Sequence, residues 1–175
     1  MKYFLVKSNP NYERMPIIIK VPLKEISPSD LLNKNYYKFK KVTILPIYDR
    51  NEFDFIDCIS SPIFLISDIC MDVVKMYNPS IVSKNIVLLS EKSGKMNTYH
   101  LPLLPIINCL TEKSKFNLDR SYIEYAELDL EKVKHNNIFY IGDSTGNYTV
   151  VRLDVLESML KRGARGLHIS ELDVC

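Results

Sequence analysis

The sequence has no C-x-x-C pair, no apolar run of membrane-spanning length and no two histidines at metal-binding spacing. Its four cysteines, Cys58, Cys70, Cys109 and Cys175, are widely and unequally spaced. A zinc site normally draws on two close pairs, so these read as small buried hydrophobes of a reducing compartment. His100, His135 and His168 are far apart and form no H-E-x-x-H pattern, so no metal site is expected. A membrane span needs roughly 18 or more consecutive apolar residues, and none occurs. After Met1-Lys2 only Tyr3 to Val6 are apolar before Lys7, Ser8 and Asn9. That is too short for a signal-peptide core, and a cytoplasmic location is expected. A sequence pI near 8.2 is below the roughly 9 expected of a dedicated nucleic-acid-binding domain.

What is present is the composition of a globular chain. The 175 residues are 46% hydrophobic and 25% charged, enough for one domain with a real core and no disulfide or metal. The net charge of +2 is unevenly spread. Residues 1–50 carry ten Lys/Arg against four Asp/Glu, and the remainder thirteen against seventeen. A basic first third would steer an acidic partner or simply keep edges and loops solvated. Pro10, Pro16, Pro22 and Pro28 recur there every six residues. Proline cannot donate to a sheet ladder, so 10–28 is expected to be extended or at an edge, with Met15 to Val21 an edge strand. Ser27 or Ser29 would cap a helical turn at Asp30-Leu31-Leu32. Residues 1–50 are expected to pack, as a Pro-rich basic segment, on a single domain spanning 1–175.

Periodicity sets the expected elements. Residues 3–7 read as a strand. Ser61 to Ile66 is apolar and broken by Pro62. Ser67 suits a helix N-cap, Asp68 complements the positive helix end, and Ile69, Cys70, Val73, Val74, Met76 and Tyr77 would form one apolar face. Asn78-Pro79 ends that helix. Ile86–Leu89 and Met96–Leu101 flank the turn Ser93-Gly94 as a hairpin. Residues 111–117 read as a loop and Tyr122 to Leu128 as one half-buried strand. Ile138–Ile141 and Tyr148–Val151 are strands, Arg152 to Arg162 an amphipathic helix, and Gly166 to Leu172 a final strand. The expected class is α+β: a mixed, mainly antiparallel sheet with two principal amphipathic helices at about 67–77 and 152–162. Strand 63–66, helix 67–77 and strand 86–89 mirror strand 148–151, helix 152–162 and strand 166–172, which suggests two similar strand–helix–strand units.

Four stretches invite chemistry. Gly142-Asp143-Ser144-Thr145-Gly146 matches the G-x-S-x-G nucleophile elbow. A hydrolase reading makes Ser144 the nucleophile, His168 the base and Asp154 its orienter. But Tyr148-Thr149-Val150-Val151 after it is β-forming, where an elbow leads into a helix, and Gly, Asp, Ser and Asn are what a hairpin loop uses. The loop also lacks the length and lysine of a P-loop. No catalytic residue is therefore assigned, and no cofactor. Lys161-Arg162-Gly163-Ala164-Arg165-Gly166 would grip a phosphate, or would end a helix with Gly163 in the left-handed position. Asp49, Glu52, Asp54 and Asp57 would hold a divalent cation, but their spacing is not an EF-hand's and no glycine supplies its turn.

The fourth stretch, residues 34–41, interleaves aromatics with lysines. Lys34, Tyr36, Tyr37, Lys38, Lys40 and Lys41 would serve a single-strand nucleic-acid platform or a protein interface. As plain structure it would lead into a strand with Tyr37 and Phe39 inward, alternation continuing through Val42 to Tyr48.

Some features occur in a recognisable order: Ile66-Ser67-Asp68 opening a helix, Tyr99 on the return strand of a hairpin, Leu128-Asp129 with Lys132, Ile138-Phe139, and the strand–helix–Gly163…Gly166–strand ending. Over roughly residues 55–173 the chain resembles a family of immunity proteins from bacterial polymorphic toxin systems, long grouped as a domain of unknown function. That resemblance implies a cytosolic α+β protein without catalysis, which protects its cell by binding and blocking a cognate toxin. It names no contact residues. The basic–aromatic run Lys34 to Lys41 is the sequence's candidate for the partner contact.

Overall fold

The computed structural model describes residues 1–19, 21, 36–48 and 52–175, with only the backbone of Lys38. Lys34, Asp49, the helical turn at 30–32 and its caps Ser27 and Ser29 lie outside the described residues. The chain forms mixed, strand-rich sheets with three α-helices among the described residues, an α+β fold.

A six-stranded sheet is built around the N-terminus. Strands β1 (Tyr3–Ser8), β7 (Ile106–Ile107), β10 (Glu127–Leu128), β11 (Ile138–Ile141), β12 (Thr149–Arg152) and β13 (Leu167–Val174) take the order β10-β13-β1-β12-β11-β7. Strand β1 lies antiparallel to β12 on one side and to β13 on the other. The N-terminal residues therefore supply an inner strand of the sheet. The reason is in its side chains. Tyr3 and Val6 are buried and belong to different apolar clusters, and a strand covered on both faces reads as a continuous apolar run. Strand β11 does the same: Ile138 and Tyr140 face one cluster, Phe139 and Ile141 the other.

The second sheet has five strands in the order β2-β5-β6-β4-β3: β2 (Val42–Pro46), β3 (Cys58–Ile59), β4 (Leu65–Ile66), β5 (Ser83–Leu89) and β6 (Met96–Pro102). Strands β2 and β5 are parallel, β5 and β6 form an antiparallel hairpin, and β4 pairs antiparallel with β6. Strands β8 (Lys115–Phe116) and β9 (Ile123–Tyr125) make a separate two-stranded ribbon.

Helices α1 (Asp68–Tyr77) and α3 (Leu153–Lys161) pack on each other; α2 (Leu130–Val133) is one short turn. The Tyr77 hydroxyl joins the two long helices, bonding the Asp154 carbonyl at 3.1 Å and Ser158 Oγ at 2.9 Å. Both helices contribute to the cluster shared by the two sheets, through Cys70, Met71, Val73 and Val74 from α1 and Val155, Leu156 and Met159 from α3. Each fully buried aliphatic side chain of this kind contributes about 1.5–3 kcal/mol.

Several local expectations are corrected. The buried stripe of α1 includes Met71, while Ile69 and Met76 are exposed; the face centres on 70, 73, 74 and 77 and is rotated from the expected one. Ser67 is the N-cap residue, but its hydroxyl makes no cap hydrogen bond. Residues 122–128 are two strands: β9 pairs with β8, and β10 with β13. Residues 111–117 contain β8. Among the described residues of 15–21, pairing is limited to the Ile18–Ile47 bridge and its flanking bonds.

Candidate functional site

The G-x-S-x-G motif joins β11 to β12, and its Asp143 and Ser144 side chains are already used. Asp143 Oδ2 accepts from the backbone N–H groups of Cys109 (2.7 Å) and Leu110 (3.0 Å). Ser144 Oγ donates to the Arg120 carbonyl at 2.7 Å and accepts from the Gly146 N–H at 3.1 Å. The glycines are required by proximity. A Cβ on Gly142 would lie 2.3 Å from Asn108 Oδ1, and one on Gly146 2.5 Å from the Ser121 carbonyl oxygen. The loop thus clamps segments 108–110 and 120–121 onto the sheet.

The structure does not assemble the three hydrolase residues. Asp154 takes both guanidinium bonds of Arg152, at 2.8 and 2.7 Å, and caps the Val155 N–H at 3.0 Å. That pairing holds its carboxyl below the usual range, with the Arg152 hydrogen bond the leading cause. His168 Nε2 lies 3.5 Å from Ser170 Oγ. His168 stands opposite Lys7 and Arg152 opposite Tyr3. Asp154 and His168 are therefore at opposite ends of β1, separated by about 13 Å at the rise of a strand.

The cationic 161–166 stretch ends α3. Gly163 (φ +85°) donates to the Leu160 carbonyl and Ala164 to that of Met159, the paired bonds of a Schellman cap. Gly166 (φ +77°) sits against Ile56, whose Cβ would be 2.5 Å from an added Cβ. Asp57 Oδ2 accepts from the Arg165 N–H at 2.7 Å. Of the other carboxylates in the acidic stretch, Glu52 pairs with Arg14. Groups of three or more metal-ligating side chains do not occur among the described residues. His100 Nε2 is 2.6 Å from Asp68 Oδ1.

Residues 36–41 do not form the expected alternation. Tyr36–Lys38 is a 3-10 turn, whose three-residue period puts residues i and i+3 on one side. Tyr36 and Phe39 are consequently buried, and Tyr37 is 72% exposed. Tyr36 is a core residue with the Lys84 ammonium 5.4 Å from its ring centre, and burial pushes its phenol up to about 12. It cannot act as a partner contact or as a stacking platform. Lys40, Lys41 and Tyr37 remain at the surface.

Sequence reasoning missed the larger surface feature beside them. Val42, Ile44 and Tyr48 are exposed while Leu45 and Ile47 are buried, so β2 is apolar on both faces. The signal was the stretch from Val42 to Tyr48, apolar but for Thr43, read for its inward half alone.

Compared with protein-family models and with curated proteins, the chain matches none.

Proposed function

We propose that this chain is a non-enzymatic binding protein of the cytoplasm, an immunity protein that neutralises a cognate bacterial toxin by direct binding and occlusion. What supports the reading is a resemblance alone, the order of short motifs over roughly residues 55–173 described above, to which the comparisons add nothing. Their roles are of the framework kind that a family signature without an active site would use. Tyr99 donates to the Ile56 carbonyl at 2.6 Å. Asp129 caps α2 by accepting from the Glu131 N–H at 3.0 Å. Gly163 and Gly166 turn the chain from α3 into β13. The prior engagement of Ser144, Asp154 and His168 in separate contacts also favours binding over hydrolysis.

The same reading takes β4–α1–β5 and β12–α3–β13 as two similar units. In each, a helix connects two strands that flank a common antiparallel neighbour, β6 in one and β1 in the other. Two helices packed together on such units give a rigid frame suited to presenting a preformed surface.

Co-expression tests the function. The probe is the C-terminal toxin domain of a secreted protein encoded beside this chain's gene, and a gene neighbourhood that encodes none counts against the reading. Restored growth with the chain, and none with an unrelated α+β protein, supports it. No protection from that toxin domain overturns it, as does fluorophosphonate labelling of the pure chain that disappears in Ser144→Ala.

A further inference from the structure

Over β2, β5 and β6 the five-stranded sheet has one buried face and, among the described residues, one that is half-buried to exposed. Leu45 and Ile47, Ile86 and Leu88, and Tyr99 and Leu101 point into the core. The alternate residues fall into rows across the strands on the other side. Ile19, Pro46, Leu89 and Met96 make one row, with the Ile19 N–H donating to the Pro46 carbonyl. Ile44, Val87 and Thr98 make the next, and Val42, Asn85 and His100 the third. Tyr48 and Ile17 extend the first row along the edge, joined by the Tyr48 N–H and the Ile17 carbonyl. The exposure is large: 61% at Ile19, 61% at Ile44 and 68% at Met96. Contiguous apolar patches on a soluble surface, rimmed by polar groups, mark interaction sites.

The rim tells which partner fits. Lys40 and Lys41 lead into β2, and Lys92 and Lys95 lie in the turn between β5 and β6 with one carboxylate, Glu91. Lys40, Lys41 and Lys95 are in no ion pair among the described residues, whereas Lys2, Lys113, Lys132, Lys134 and Lys161 each have a carboxylate. The three rows contain no carboxylate, and at their far corner His100 holds Asp68. A second copy docked face to face would set lysine rim against lysine rim, which like-charge repulsion opposes.

We infer that the bare face of β2, β5 and β6 is the docking surface for a partner protein with an apolar centre and an acidic rim. This inference rests on the binding-protein reading and specifies the surface through which the toxin is held. Ile44 and Met96 supply the desolvated centre. Lys40, Lys41 and Lys95 steer the encounter and fix orientation, so association falls with rising salt.

The test is calorimetric titration of the neighbouring toxin domain into four proteins: wild type, Ile44→Asp, the double variant Lys40→Glu with Lys41→Glu, and Leu118→Asp. Leu118 is a fully exposed leucine between β8 and β9, away from the bare face. Ile44→Asp is expected to weaken binding at least about 30-fold, as for a central anchor. The double variant is expected to weaken it about tenfold and flatten its salt dependence. Leu118→Asp should bind as wild type. All four sites are exposed, so unchanged melting curves verify folding. Wild-type binding retained in Ile44→Asp overturns the face while leaving the toxin reading intact. Absence of wild-type binding overturns the toxin reading and the face with it. A concentration-dependent dimer of the chain alone, split by Ile44→Asp in sedimentation equilibrium, would assign the face to a second copy and overturn the proposal.

Discussion

Two buried tyrosines differ in how their hydroxyls are satisfied. Tyr99 OH donates to the Ile56 carbonyl at 2.6 Å, whereas Tyr140 OH is buried with no protein partner. Burial pushes both phenols up. A lost buried hydrogen bond costs about 1–1.5 kcal/mol, and a partnerless buried hydroxyl carries a desolvation penalty of about 1–3 kcal/mol. Tyr99→Phe is therefore expected to lower stability by about 1 kcal/mol and Tyr140→Phe to leave it unchanged or raise it. Urea unfolding of the two variants checks this; equal losses would contradict the assignment. Both tyrosines lie in stretches that the sequence reads as strands. Their partners did not, because Ile56 is 43 residues from Tyr99 in the chain and a carbonyl acceptor leaves no mark in sequence. Tyr36 was read as facing away from Phe39 because a strand puts residues i and i+3 on opposite faces, whereas the 3-10 turn puts them on one side.

Elements were legible where one residue type dictates the backbone. Gly163 and Gly166 both have positive φ, but their surroundings differ. An added Cβ meets nothing within 4 Å at Gly163 and meets Ile56 Cβ at 2.5 Å at Gly166. Gly163→Ala is expected to cost about 1–2 kcal/mol, the left-handed penalty alone. Gly166→Ala adds a steric clash with a buried side chain and is expected to cost at least about 1 kcal/mol more. Thermal melts of the pair decide it, and an equal loss would contradict the packing of Ile56 on Gly166. The sequence supports a helix end near Gly163 because the glycine follows two cations. It does not reveal the division of 122–128 between two partners, since an alternating run says which face is wet but not which strand is adjacent. The G-x-S-x-G loop was legible as a turn, while its clamps on 108–110 and 120–121 depend on segments brought in by the fold.

At the scale of the molecule, acid stability reports on the clips that hold the β10 edge. Glu127 accepts from Thr111 Oγ1 at 2.7 Å and from Lys113 Nζ at 3.0 Å. The Thr111 bond first, then the Lys113 bond, hold its carboxyl below the ordinary value. A depressed carboxyl contributes stability that is fully present above the unfolded value, about pH 4.3, and lost as pH falls through the folded one. Urea midpoints are expected to drop below about pH 4.3 more steeply in wild type than in Glu127→Gln; parallel curves would contradict the clip. The α+β class was legible from composition and periodicity, because apolar spacing survives without knowledge of partners. The central place of β1 was not, because the N-terminal six residues find β12 and β13 more than 140 positions away. The bare sheet face needed the same long-range pairing before Ile19, Pro46, Leu89 and Met96 became one row. Direct binding without catalysis is the central claim. It is tested most directly by adding the pure chain stepwise to the active toxin domain encoded beside it and following toxin activity. The account predicts a linear fall to full inhibition at one chain per toxin, with the toxin recovered intact. Undiminished activity at a large excess of chain, or a toxin covalently altered by it, would contradict the account.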